Sequence, residues 1–251
     1  MESIKGRFAP SPTGRMHLGN AFCALLAWLS ARSQGGSLLL RMEDLDPQRS
    51  RESYAQVLME DLLWLGLDWD EGAGIPGEEE KQYWQSRREE EYAKALDLLK
   101  RQELLYPCFC TRAELHAAEA PHASDGQVIY SGRCRELTME ERQEKEKHGR
   151  PAIRIGVPDE MISFTDGCRG VYEENLARDC GDFILRRSDG VFAYQLAVTW
   201  DDGVMGVSQV VRGSDLLSST PRQIWLQRLW GFTQPQYYHV PLLLAPDGRR
   251  L

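Results

Sequence analysis

The sequence predicts an α/β fold in which a doubly wound parallel sheet carries an inserted zinc-binding subdomain. Three observations predict it. Two short apolar strands flank an amphipathic helix near the N-terminus, strand patterning returns after Pro151, and Cys108-Phe109-Cys110 with Cys134 bracket a stretch that has no periodicity. The expected organisation is a main domain split into 1–104 and 151–251, with the insertion at 105–150.

Gly6 to Ala9 reads as a short buried strand. Ser37 to Met42 reads as a second, since Ser-Leu-Leu-Leu-Arg-Met is too continuously apolar for a strand wetted on one face. Between them, Leu18 to Ser33 places Leu18, Phe22, Leu25, Leu26 and Leu29 at helical spacing before Gly35-Gly36 stops the helix. Strand, helix, strand implies a right-handed crossover and a ligand crevice at the carboxyl ends of the strands, where Glu43, Asp44 and Asp46 fall. Ser50 to Leu65 and Glu78 to Lys100 read as further helices, the second carrying Tyr92, Leu96 and Leu99 inward. Thr138-Met139-Glu140-Glu141 is a capping box opening a short charged helix. From Pro151 the pattern turns to strands, and Asp189-Gly190 supplies a hairpin turn between Phe183 to Arg186 and Phe192 to Val198. Val207 to Arg212 resumes strand character. Thr220-Pro221-Arg222-Gln223 reads as a second capping box, with proline at the first helical position of a helix reaching Trp230.

At 251 residues, 42% apolar and 27% charged, the chain can bury a substantial core. No apolar run approaches the roughly 20 residues that span a bilayer, and no signal peptide is recognised, so the expectation is a cytoplasmic protein without membrane contact. In that compartment the six cysteines are expected to be reduced. Cys23, Cys168 and Cys180 are read as buried or inert thiols. The net charge of -8 argues against sequence-blind coating of nucleic acid, and Arg133 with Arg135, or Arg249 with Arg250, are only small basic clusters.

The join between the first strand and its helix carries most of the functional information. A strand-loop-helix unit leaves free backbone N–H groups and the positive end of a helix dipole beside the strand's carboxyl end, which suits phosphate. His17 and Asn20 lie three apart at the helix start with polar side chains able to donate, and Gly19 lacks a side chain that could block a nucleotide. Taken alone, His17 as a cap and Gly19 as a packing residue would be the better reading. The preceding Arg7-Phe8-Ala9-Pro10-Ser11-Pro12-Thr13-Gly14 reverses those odds.

That octapeptide, followed by His17-Leu18-Gly19-Asn20, resembles the adenylate-forming motif of class I aminoacyl-tRNA synthetases in the form found in the glutamyl group. Asn20 stands where the family usually has His. The resemblance extends through Trp64-Leu65-Gly66-Leu67-Asp68-Trp69-Asp70-Glu71 to Arg212-Gly213-Ser214-Asp215-Leu216 and Thr220-Pro221-Arg222-Gln223. It is strongest toward the glutamyl-queuosine tRNA(Asp) synthetases, favoured by Leu196-Ala197-Val198 after Tyr194-Gln195 and by Tyr130-Ser131-Gly132-Arg133-Cys134. It implies a Rossmann-like nucleotide-binding catalytic domain. Implied ATP-binding residues are His17, Gly19 and Asn20, with His17 and Asn20 assisting catalysis. Implied glutamate-binding residues are Arg7, Ala9, Ser11, Glu43, Tyr194 and Arg212. Arginine's planar fork suits carboxylates and Glu43 suits an ammonium group, although Arg7 with Glu43 could also be a plain ion pair and Tyr194 a sheet aromatic.

A closed zinc site needs four ligands, and three thiolates are not enough. Spacing alone points to His116 or His122 as the fourth. Cys-x-Cys followed by Tyr-x-x-x-Cys resembles the family's zinc site and implies Cys108, Cys110, Tyr130 and Cys134, with about one structural Zn2+ per chain. The implied activity is ATP-dependent activation of L-glutamate, with Mg2+ as a helper, and transfer to the queuosine base in the anticodon of tRNA(Asp) by a monomer. The alternatives are the truncated catalytic half of a glutamyl-tRNA synthetase charging tRNA(Glu), and a noncatalytic zinc-bearing tRNA- or glutamate-binding module. Pro246-Asp247-Gly248-Arg249-Arg250-Leu251 enters the family's second motif without its lysine. The expectation from the written chain is therefore glutamate binding with weak activation.

Overall fold

The computed structural model describes residues 3–111, 114 and 129–248. In chain order the strands are β1 (Lys5–Phe8), β2 (Ser37–Leu40), β3 (Glu71–Gly72), β4 (Leu105–Cys108), β5 (Ala152–Ile155), β6 (Met161–Asp166), β7 (Gly170–Asn175), β8 (Phe183–Arg186), β9 (Gln209–Gly213) and β10 (Gln236–Val240). The α-helices are α1 (Leu18–Arg32), α2 (Glu52–Trp64), α3 (Glu89–Arg101), α4 (Met139–Glu146), α5 (Tyr194–Val204) and α6 (Thr220–Trp230).

Seven strands form the main sheet in the order β3-β2-β1-β9-β10-β6-β7. Every neighbouring pair in it is parallel except β6 with β7, which a tight turn joins and which must therefore run antiparallel. The sheet is mixed, not purely parallel. Beyond β1 the chain first adds β2 on one side and later β9 on the other, so the order reverses at β1 and opens a crevice at the carboxyl ends of β1 and β9. A separate three-stranded antiparallel sheet, β4-β5-β8, stands beside it.

Several local readings are corrected. Leu18, Leu25 and Leu29 of α1 are 63%, 41% and 46% exposed, and Ala24, Ala27 and Ala31 make the buried face. The helix lies too close to the sheet for leucine: a Cβ placed on Gly6 of β1 would sit 3.3 Å from Ala31 Cβ. The single helix expected over Glu78 to Lys100 is broken into 3-10 turns at Glu78–Tyr83 and Gln85–Arg87, followed by α3. The break occurs because Met42 N–H donates to Tyr83 O and Gln85 N–H donates to Met42 O, holding Trp84 extended against the end of β2.

The hairpin turn forms, with Gly190 at φ 96° and Arg187 N–H donating to Val191 O at 2.8 Å. Its return arm lasts only for an Arg186–Phe192 bridge, after which the expected strand is helix α5. Leu196, Ala197, Val198 and Trp200 are all buried there, and a short run apolar on every side does not distinguish strand from helix. Thr138 does form its capping box with Glu141. Thr220 does not, because a 3-10 turn at Ser214–Ser219 runs directly into α6 and its hydroxyl is engaged elsewhere. Cys180 is buried and Cys23 half-buried, but Cys168 is exposed. No helix among the described residues is long and apolar enough to cross a membrane.

Candidate active site

A cavity of about 560 Å³ opens where the sheet order reverses. Its lining includes Arg7, Ala9, Ser11, His17, Gly19, Asn20, Glu43, Tyr194 and Arg212, which is every residue expected to hold glutamate or ATP. The elements explain the convergence. β1 delivers Arg7, the irregular crossing delivers Ala9 and Ser11, the first turn of α1 delivers Gly19 and Asn20, and the last residues of β9 deliver Arg212.

At the helix start, His17 is the N-cap in extended conformation, and its N–H donates to Asn20 Oδ1 at 3.3 Å. Asn20 thus uses its carbonyl to hold the loop and keeps its amide nitrogen as a donor. The first turn of α1 contains no acidic residue, so nothing there offsets the positive end of the dipole.

Deeper in the cavity Arg7 is buried, with Nε 3.5 Å from Asp202 Oδ2 and Nη1 donating to Val211 O. Glu43 pairs with Arg41, whose Nη2 donates to Oε1 at 3.2 Å, so the closest cation to Glu43 is not Arg7. Arg41 is fully buried and also meets Asp202 Oδ1 at 2.7 Å. Burial would raise the Asp202 carboxyl, but the charges of Arg41 and Arg7 hold it below the usual carboxylate range. Burial raises the Glu43 carboxyl against the pull of Arg41 and Arg7. Behind Asp202, Asp201 accepts from Arg88 Nε at 2.8 Å, Gln85 Nε2 at 2.9 Å and Tyr92 OH at 2.8 Å. The sequence reading missed this Arg41-Asp202-Arg7 chain. The available signal is Arg41 within the apolar run Leu38 to Met42, since a charge there must find a buried partner.

On the opposite wall Arg212 Nη1 lies 3.5 Å from Tyr194 OH, and Nη2 donates to Thr220 Oγ1 at 2.8 Å. Its Nε donates to His239 Nε2 at 3.0 Å. Thr220 serves Arg212 instead of capping its helix, and nothing in the chain ties His239 to Arg212 before β9 and β10 pair. The arrangement gives two arginines for carboxylates, one carboxylate for an ammonium and a helix start for phosphates, in one cleft.

Some distance along the chain, the sulfurs of Cys108, Cys110 and Cys134 lie within 4.8 Å of one another. Cys110 Sγ is 3.6 Å from both Cys134 Sγ and Tyr130 OH. Zinc at about 2.3 Å from sulfur and about 2.0 Å from oxygen sets tetrahedral edges of about 3.5–3.8 Å, which the two edges at Cys110 match. Arg154 Nε reaches Cys108 Sγ at 3.2 Å while its guanidinium lies 4.0 Å from the centre of the Tyr130 ring. Tyr130 OH also accepts from the Cys134 N–H at 2.8 Å. His116 and His122 lie outside the described residues.

Comparisons with known proteins follow the same lines. The family described as tRNA synthetases class I (E and Q), catalytic domain, matches residues 3–251. Glutamyl-Q tRNA(Asp) synthetase from Nitratidesulfovibrio vulgaris is 57% identical over 250 residues, covering 99% of this chain and 77% of the relative. The protein of the same name from Symbiobacterium thermophilum is 53% identical over 250 residues, covering 98% and 76%. Among solved structures, a glutamate tRNA ligase from Elizabethkingia meningosepticum, in complex with its amino acid, superposes with a TM-score of 0.84 at 33% identity. That match covers all of this chain and 52% of the solved one, so the chain spans about half its length.

Proposed function

The chain belongs to the class I tRNA synthetases for glutamate and glutamine, matching their catalytic domain, and from that premise we infer that it activates L-glutamate with ATP and transfers it to the queuosine base of tRNA(Asp). The observation that carries this reading is the single cavity lined by Arg7, Glu43, Tyr194, Arg212, His17, Gly19 and Asn20. Activation is attack by the glutamate α-carboxylate on the α-phosphorus of ATP. The new bond gives glutamyl-adenylate, and the bond to the β-phosphate bridging oxygen breaks to release pyrophosphate. No covalent enzyme intermediate is needed, so catalysis consists of positioning and of stabilising charge on the phosphates.

Each residue has a role in that scheme. Arg7 and Arg212 take the two carboxylates, Glu43 takes the ammonium and Tyr194 packs between Arg212 and the substrate. Ala9 and Ser11 offer small surfaces at the crossing. Gly19 lets the nucleotide approach α1, while His17 and Asn20 donate to phosphate oxygens. Mg2+, expected for the family, would supply further charge neutralisation when bound. Cys108, Cys110, Cys134 and Tyr130 would hold a structural Zn2+, tying residues 108–110 to residues 130–134. The remaining expectations, a monomer acting in the cytoplasm with domain limits at 104 and 150, belong to this proposal.

Transfer of radiolabelled glutamate is the test, using protein extended past Leu251, with ATP and with tRNA(Asp) that contains or lacks queuosine, against tRNA(Glu). Label entering only queuosine-containing tRNA(Asp) supports the reading. Label on the terminal adenosine of tRNA(Glu) would replace it with ordinary charging, and absence of glutamate-dependent pyrophosphate exchange would leave a binding module.

A further inference from the structure

β9 and β10 are parallel neighbours, and His239 stands opposite Arg212 in their register. Residues at matched positions on adjacent strands project to the same face, so this pairing brings the two side chains together. Arg212 Nε donates to His239 Nε2 at 3.0 Å, and the other ring nitrogen, Nδ1, lies 2.6 Å from Asp166 Oδ2. Asp166 ends β6, the next strand in the sheet, and is itself anchored. The N–H groups of Cys168 and Arg169 each donate to Oδ1 at 2.9 Å, and the His239 N–H donates to Oδ2 at 3.1 Å. All three side chains are buried.

The chemistry of the donors assigns the protons. An arginine N–H can only donate, so His239 Nε2 presents its lone pair, and the ring proton sits on Nδ1 and donates to Asp166. Burial and the nearby Arg212 charge push the imidazole down to about 4, so the ring is neutral near pH 7. Burial opposes ionisation of Asp166, but the bonds from His239 and the Cys168 N–H hold its carboxyl below the usual range. Meanwhile Arg212 Nη2 donates to Thr220 Oγ1 at 2.8 Å and faces Leu216 O at 3.4 Å. Nε and Nη2 are therefore occupied by the protein, and Nη1 is the nitrogen next to Tyr194 at the cavity wall.

We propose that His239, oriented by Asp166, is a positioning residue that fixes the Arg212 guanidinium so that Nη1 meets a carboxylate of the substrate. The proposal rests on reading the cavity as a glutamate site. A guanidinium with a free Nε–H would rotate to recover a bond, and the orientation of Nη1 would be lost. His239 lies behind Arg212 and outside the cavity lining, away from the start of α1 where phosphates are expected, so its effect falls on one substrate alone.

Calorimetry of glutamate and of ATP binding to wild type, His239→Leu and His239→Gln tests this, with thermal midpoints recorded for each. Losing a bond to a charged group weakens glutamate binding by roughly tenfold or more in His239→Leu. ATP binding stays within about twofold, and His239→Gln, whose amide oxygen can reach the Nε2 position, recovers part of the loss. Equal losses for ATP and glutamate, no loss at all, or a Gln variant no better than Leu would each overturn the proposal. Should His239→Leu not fold, nitrogen NMR of the wild-type ring decides: a neutral imidazole protonated on Nδ1 is expected, and a proton on Nε2 overturns it. A wild type that binds ATP but not glutamate would sink the glutamate site itself, whereas variants that bind glutamate as wild type does would sink only the role of His239.

Discussion

Arg212 shows how much a single side chain depends on its surroundings here. Its three nitrogens meet His239, Thr220 and Tyr194, so replacement by lysine removes the fork while keeping the charge. Arg212→Lys is expected to raise the KM for glutamate by roughly tenfold to a hundredfold with little change for ATP, measured by pyrophosphate exchange. Glu43 carries a pH prediction. Its carboxyl is raised by burial, and only its ionised form can hold an ammonium, so glutamate affinity falls as the solution is acidified through that raised value. A glutamate affinity flat from neutral pH down to the ordinary carboxylate range would exclude Glu43 from that role. His239 predicts stability. Its folded value of about 4 lies below the usual 6.5, so the unfolded chain binds the extra proton between them. Stability is therefore full above about pH 6.5 and declines by about 3 kcal/mol as the pH falls to about 4. Urea titrations across that window check it, and His239→Gln removes one proton's worth of slope.

At the scale of elements, α1 is the instructive case. Both of its faces are helically periodic, and the leucines made the outer one look like the core face. The close approach to β1 instead requires alanine, and Ala27→Leu is expected to cost about 1–3 kcal/mol by overpacking. Leu29→Ala, on the exposed side, should change stability by no more than about 0.5 kcal/mol. Denaturant midpoints that reversed this order would place the core on the leucine face. The helix expected over Glu78 to Lys100 failed for a related reason: backbone groups of Tyr83 and Gln85 are committed to Met42, a partner distant in sequence that local periodicity does not reveal.

In the molecule as a whole two sheets stand side by side, and buried charge holds the smaller one to the cysteine cluster. Asp182 binds Tyr106 and Arg135 through its carboxylate, and its backbone oxygen accepts from Arg154 Nη1 at 2.7 Å; Arg154 also touches Cys108. This ties the cysteine cluster to the small sheet. Metal analysis of protein purified without chelator is expected to give about one zinc per chain, and Cys110→Ser should lose it and lower the melting temperature. Full metal content in that variant would point to a different donor set. Protein purified without chelator and free of metal would end the zinc assignment.

The sequence by itself determined the site's inventory. The Arg7 to Gly14 octapeptide with His17-Leu18-Gly19-Asn20 is a local device, because a strand, a turn and a helix start are neighbours in the chain. Family membership followed from it, as did the first crossover, and Cys-x-Cys with Cys134 separately marked three sulfurs that the fold gathers. Tertiary structure decided the rest. Only the reversal of strand order at β1 puts Arg212 across from Arg7, and only the pairing of β9 with β10 sets His239 behind Arg212. Arg41 likewise finds Asp202 only once β2 and α5 are packed. The reason is that buried charges and polar side chains take their partners from whatever the fold places beside them, and such partners leave no periodic trace along the chain.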